Sequence, residues 1–272
     1  MKIQLAGRGD FAEWRTAARS ALAQGLEPRQ VEWHCQSTDD LFGIASGTAI
    51  PADDAPAISV PKAFVEMAEQ IICHSDPMRF DLAYRLLWRL QTERHLLDVV
   101  SDADVAKARL LVRSVHRDYH KMTAFVRFKE VPSNTQRRAF IAWFEPDHFI
   151  VARTAPFFQR RFTDMDWVIA TPKGASSWDG ATLRVCDAPA EKPDIADDTD
   201  DLWRTYYANI FNPARLKVKM MQTEMPKKYW KNLPEAEMIP ELIGTAEARV
   251  REMAQRMASE TTPGFHKRLH TP

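Results

Sequence analysis

The chain has 272 residues, of which 45% are hydrophobic and 27% charged, with 37 Lys+Arg against 37 Asp+Glu. This composition excludes a mostly disordered chain, and a formal charge of zero excludes a uniformly basic nucleic-acid coat, so any cationic site must be a local patch. Cys35, Cys73 and Cys186 are far apart and odd in number, which offers no disulfide framework or paired-cysteine zinc motif. The first eight residues hold no signal-length apolar run, and no stretch approaches ~18 apolar residues. The reading is a cytoplasmic protein with no membrane partner.

Residues 2–6 read as a short strand. Asp10 then stands where a helix N-cap belongs, because its carboxylate can accept from the first unpaired backbone N–H groups. Phe11, Trp14, Ala18, Ala21 and Leu22 follow at helical spacing, and Gly25 is a stop. Val31–Cys35 alternates like a strand, so the opening is β-α-β. Residues 46–61 are a loop by their Pro and Asp content. Helices are expected over about 61–73, 77–95 and 102–122. In the second, Phe80, Ala83, Leu86, Leu87 and Leu90 form an apolar stripe, and Asp81 and Arg85, four apart, can pair. In the third the stripe is Val105, Ala108, Val112, Val115 and Tyr119.

From 124 to 186 the period changes from that of a helix to that of a strand. Ala124–Val131 and Ala139–Glu145 read as a hairpin around the turn 132–136. Pro146–Asp164 reads as a helix interrupted at Pro156. Trp167–Thr171 and Thr182–Cys186 are two more strands, joined by a loop around Gly174 and Gly180. The expected class is α+β, with a four-stranded antiparallel sheet and a helix on one face. Residues 187–201 carry seven Asp/Glu and one Lys, net −6, and read as an acidic linker between an α+β domain, 1–186, and a helical basic region, 202–260. The tail 261–272 shows no periodicity.

Two features carry charge. At 100° per residue, Arg109, Arg113, His116, Arg117 and His120 fall within about 100° of one another, beside the apolar stripe of the third helix. In the strand that follows, Phe125, Arg127 and Lys129 are expected on one face. The second feature spans 215–231, with six Lys/Arg against Glu224, net +5, and Tyr229 and Trp230 between lysines. Cations can track phosphates while an exposed ring stacks on an unpaired base. For chemistry, Glu145-Pro146-Asp147-His148 sits between a strand and a helix, where a carboxylate and an imidazole could do acid–base work. His116 and His120, four apart, lack the Glu and the third ligand of a zinc site. Ser59-Val60-Pro61-Lys62 has no companion motif. No Gly-x-x-x-x-Gly-Lys-Ser/Thr loop and no Gly-x-Gly-x-x-Gly is present, so no cofactor and no metal is expected.

Several stretches together are specific. They are His120–Phe128, Trp143–His148, Ala155–Phe162, Trp203–Tyr207, Ile210–Lys219 and Met225–Trp230. In these the chain resembles a bacterial domain family of unknown function labelled "probable DNA metabolism protein". The resemblance points to His120, Arg127, Glu145, His148, Arg160, Arg161, Arg215, Lys217, Lys219, Lys227 and Lys228. It implies DNA repair as the context. Such proteins look like companions of a radical-SAM protein assigned to DNA repair, and in some relatives the domain precedes a uracil-DNA glycosylase-like domain, for which these 272 residues leave no length.

Three functions follow as expectations. The first is a DNA-binding accessory of repair or base modification. It would contact phosphates through Arg127, Arg160, Arg161, Arg215, Lys217, Lys219, Lys227 and Lys228, with Tyr229 or Trp230 stacking. The second is a hydrolase or glycosylase-like enzyme centred on His120, Glu145 and His148. The third is a protein–protein scaffold.

Overall fold

A computed structural model describes residues 1–35, 58–133, 136–192 and 225–244. The chain divides into two compact units, 1–194 and 195–272.

The first unit opens with strand β1 (Lys2–Leu5), helix α1 (Phe11–Ala23) and strand β2 (Glu32–Cys35), and β1 and β2 pair in parallel. Asp10 caps α1 as expected, accepting from the N–H groups of Ala12 and Glu13. Helices α2 (Lys62–Ile72), α3 (Arg79–Arg89) and α4 (Ala103–Phe125) follow. Asp102 caps α4 in the same way. The stripe on α3 is buried throughout, and it joins Trp14, Phe64, Ile71, Ile72, Val105 and Leu111 in one apolar core. Arg85 does not pair with Asp81. It reaches Asp104 at 2.9 Å, because packing brings the first turn of α4 against α3 and offers a more favourably placed carboxylate.

The second layer is a five-stranded sheet in the order β3 (Phe128–Val131), β4 (Ala139–Trp143), β5 (Asp166–Thr171), β6 (Gly174–Trp178), β7 (Leu183–Cys186). Three expectations change here. Strand β3 starts four residues late, because α4 continues through Phe125 before Val126 turns extended. Phe125 is therefore helical and Arg127 lies in the connection, so they do not share a strand face with Lys129. The sheet is mixed, since β4 and β5 are parallel, joined by helix α5 (Val151–Arg161). The segment expected as a loop contains β6, paired antiparallel to both β5 and β7. Gly174 begins β6 at φ +125°, where an added Cβ would stand 2.6 Å from the Cys186 carbonyl oxygen.

Helix α5 is shorter than expected, because 144–150 form a loop. Pro156 lies inside it and leaves the carbonyl of the exposed Ala152 without its helical donor. Phe158 of α5 meets Phe128, Phe162 and Trp167, with ring centroids 6.1–6.4 Å apart. Val168, on the opposite face of the sheet, is exposed. The chain leaves the sheet through residues 187–192, and the Ala190 N–H donates to the carbonyl of Thr171 at 3.0 Å. The acidic segment beyond 192 and the loop 36–57 lie outside the described residues.

In the second unit two short 3-10 helices, Lys227–Asn232 and Pro234–Met238, precede helix α6 (Ile239–Gly244). Tyr229, Leu233, Ala236 and Ile239 are buried.

Candidate functional site

His148 is the hub of a polar cluster in the first unit. The loop between β4 and α5 carries it, and it is buried against α4 and the α2–α3 loop. Its backbone N–H donates to Asp118 Oδ2 at 2.8 Å. The Ser75 backbone N–H donates to its Nδ1 at 3.2 Å, and Ser75 Oγ lies 3.1 Å from the same nitrogen. A backbone N–H can only donate, so Nδ1 holds the lone pair and Nε2 carries the ring proton. That proton points at Ser114 Oγ, 2.8 Å away. One imidazole thus ties together three elements, with its tautomer fixed by its neighbours.

The His74 ring lies against that of His148, with centroids 4.1 Å apart and planes tilted by 32°. Its Nδ1 accepts from the Asp76 N–H at 2.9 Å, so its Nε2 also carries the proton. Burial pushes the His74 pKa down, with the Asp76 carboxylate opposing. Lys107 of α4 pairs with Asp76 at 3.0 Å. Lys173, in the turn between β5 and β6, donates to the Asp147 carbonyl at 2.8 Å and lies over the Phe149 ring. Burial lowers its pKa, and the carboxylates of Asp118 and Asp147 act against that. Arg79 underpins the α2–α3 loop. Its guanidinium is buried, donates to the carbonyls of Ile72, Asp76 and Arg8, and lies between the rings of Phe80 and Phe149.

His148 is the one residue of the expected acid–base trio at this hub. His120 is exposed on α4, about 160° around the helix from Asp118 at ~100° per residue. Glu145 accepts from the Trp143 indole N–H at 2.9 Å. Sequence reasoning passed over Ser75, Ser114, Asp118 and His74. A signal existed for Asp118, a carboxylate inside the arc that buries Leu111, Val115 and Met122.

The cationic residues are distributed as follows. Arg113, His116, Arg117 and His120 are exposed on the solvent face of α4, and among the described residues none has a hydrogen-bond or ion-pair partner. Arg109, on the same ridge, donates to the Leu97 carbonyl. Arg127 turns back onto the end of α4, donating to the carbonyls of Ala124 and Val126. Arg160 and Arg161 are exposed in the last turn of α5. Lys227 and Lys228 are exposed in the second unit and lie near the rings of Trp230 and Tyr229. Tyr229 is buried, so its ring is not presented for stacking, and Trp230 is half-buried, donating to the Met225 carbonyl. Arg215, Lys217 and Lys219 lie outside the described residues.

In the Gly7-Arg8-Gly9 loop between β1 and α1 the backbone donors of Gly7 and Arg8 are spent within the protein. Glu13 accepts from the N–H groups of Ala6 and Gly7, and Asp187 from that of Arg8. A Cβ on Gly9 would stand 2.8 Å from the Phe149 carbonyl oxygen, so this glycine serves close packing. Among the described residues, no group of three or more His, Cys, Asp or Glu is placed to hold a metal ion, and no helix is long and apolar enough to cross a membrane.

No curated protein and no solved structure matches the chain. A family of domains of unknown function, DUF4130, matches residues 77–235, which take in α3, α4, the sheet, α5 and the start of the second unit. With more than half of its length so matched, the chain belongs to the DUF4130 family.

Proposed function

We propose that the protein is a DNA-binding accessory of DNA repair or base modification, acting beside a radical-SAM protein or a uracil-DNA glycosylase-like domain. The resemblance of the quoted motifs supplies the context. The observation that carries the DNA-binding part is the ridge of α4, on which the side chains of Arg113, His116, Arg117 and His120 have no hydrogen-bond or ion-pair partner among the described residues.

Several arginines of the first unit are neutralised by carboxylates. Arg89 is held by Glu93, Asp102 and Asp104, Arg137 by Asp166, Arg138 by Glu130 and Arg184 by Asp179. On the outer face of α4, Arg113 and Arg117 have no such carboxylate among the described residues. Between Val105 and Phe125 the helix carries Lys107, Arg109, Arg113, Arg117 and Lys121 against one carboxylate of its own, Asp118, which is on the buried side, while Lys107 reaches Asp76 outside the helix. The ridge from Arg109 to His120 extends over roughly 16 Å at ~1.5 Å per residue. Such a rod of charge suits a polyanion whose phosphates repeat along its length, and binding gains from released counterions. Arg160 and Arg161 add exposed charge at the end of α5, and Lys227 and Lys228 add it in the second unit.

Fluorescence anisotropy with duplex, single-stranded and uracil-containing oligonucleotides, titrated with salt, tests this reading. Three arginine–phosphate contacts give a slope of log K against log[salt] of about −2 to −3. Arg113→Glu with Arg117→Glu should weaken binding roughly tenfold or more and flatten the slope. Affinity at low salt that the double substitution leaves unchanged would reject the ridge as the DNA contact.

A further inference from the structure

The geometry points to a second activity on the opposite side of α4: Ser75 is a nucleophile for carboxylic esters, with His148 as its general base. Ser75 is exposed, while the base that its hydroxyl meets is buried. This pairs a reactive oxygen open to a substrate with an imidazole shielded from water. Oγ and Nδ1 are 3.1 Å apart, within the range in which a hydroxyl passes its proton to a base. The tautomer is the required one, because the Nδ1 lone pair faces Ser75 and the Nε2 proton is held by Ser114 at 2.8 Å. Ser114 therefore acts as a positioning residue, in the place a carboxylate takes in serine hydrolases. The backbone bond to Asp118 and the adjoining His74 ring hold the base from two further directions.

His74 adds a donor. Its Nδ1 is engaged by Asp76, so its Nε2–H, without a partner among the described residues, is available for a developing oxyanion at the same rim. Charges of both signs surround the rim, with Lys107, Lys173 and Arg79 against Asp76, Asp147 and Asp118. An uncharged ester suits such a rim better than an anion does. In the reaction Oγ bonds to the acyl carbon and its proton passes to Nδ1. The bond from that carbon to the leaving oxygen then breaks, and the leaving oxygen takes the proton from Nδ1. Water, deprotonated by the same Nδ1, releases the acid and restores Ser75.

The test uses the full chain with p-nitrophenyl acetate and a fluorophosphonate probe. The proposal expects one probe adduct, mapped by mass spectrometry to Ser75, and ester hydrolysis that Ser75→Ala lowers by roughly 100-fold or more. Ser114→Ala should slow acylation and displace its pH profile, and Ser114→Thr should restore both. Ser75→Cys keeps a nucleophile and should react with thiol probes at a rate that follows the base. Absence of an adduct at Ser75 in protein with unchanged circular dichroism, or hydrolysis equal in wild type and Ser75→Ala, overturns it.

Discussion

Asp118 accepts the backbone N–H of His148 at 2.8 Å, so a carboxylate on the buried side of α4 holds the loop that leads into α5. The end of β4, the long helix and the helix behind the sheet are tied together near this bond. Replacing Asp118 by Ala leaves a buried donor unsatisfied, which costs about 1–3 kcal/mol. Asn keeps an acceptor oxygen and should cost less. Urea unfolding of the two variants measures the difference, and equal midpoints for Ala and wild type would remove the role assigned to Asp118.

Arg79 makes a comparable join between the α2–α3 loop and the loop after β1. Its planar guanidinium spreads donors over three carbonyls, from Ile72, Asp76 and Arg8, while lying against two rings. A lysine ammonium is a point charge and cannot serve these directions from one place. Arg79→Lys is expected to cost about 2 kcal/mol or more by leaving buried carbonyls unpaired. Thermal unfolding would register that as a drop of several degrees, and an unchanged midpoint contradicts it.

Much of this architecture was legible in the sequence. Asp10 and Asp102 announce their helices because capping is a local interaction between a side chain and the next few N–H groups. The hairpin β3–β4 was readable from alternation. Strand β6 was not, because Gly174-Ala175-Ser176-Ser177 has no apolar alternation and becomes a strand through its two neighbours. The parallel pairing of β4 with β5 follows from the helix between them, a crossover rule that outweighs the expectation of an antiparallel sheet. At the site, Glu145-Pro146-Asp147-His148 drew notice as a loop between strand and helix. Its partners Ser75 and Ser114 lie 73 and 34 residues away from His148, and no local pattern marks such contacts.

His74 sets an acid limit on stability. Burial holds its pKa below the ordinary imidazole value, so the unfolded chain takes up a proton more readily than the folded one. Its contribution is therefore present above about pH 6.5 and fades as the pH falls through the lowered native value. His74→Gln removes a titrating group while keeping a polar side chain, and should flatten the fall in melting temperature between neutral and mildly acidic pH. A profile that keeps its full slope in this variant would place the acid sensitivity elsewhere.

The three cysteines should separate by reactivity. Cys186 is exposed, Cys35 is half-buried, and Cys73 is buried with its pKa pushed up to about 11 by desolvation. Thiolate is the reacting form, so Cys73 combines low access with a small thiolate fraction at pH 8. Iodoacetamide should modify Cys186 first, Cys35 more slowly, and Cys73 only after denaturant is added. Early labelling of Cys73, read from its peptide mass, would contradict the packing of α2 against its neighbours.

Two glycines are required for different reasons, and alanine substitutions should show it. At Gly174 the backbone sits at φ +125°, and a methyl would also stand 2.6 Å from the Cys186 carbonyl oxygen, so strain and collision act together. At Gly9 the collision alone operates, 2.8 Å from the Phe149 carbonyl oxygen. Gly25, at φ +69° with nothing within 4 Å of its added Cβ, carries the conformational cost alone, about 1 kcal/mol. Gly174→Ala should therefore destabilise most, by more than about 2 kcal/mol, because β6 must shift away from β7 to admit the methyl. Gly9→Ala should additionally disturb the loop that carries Phe149 and His148, slowing any acylation of Ser75, whereas Gly25→Ala should leave that rate unchanged. Denaturation midpoints and probe labelling of the three variants separate these effects, and a Gly174→Ala protein as stable as Gly25→Ala would refute the close approach of β6 to the end of β7.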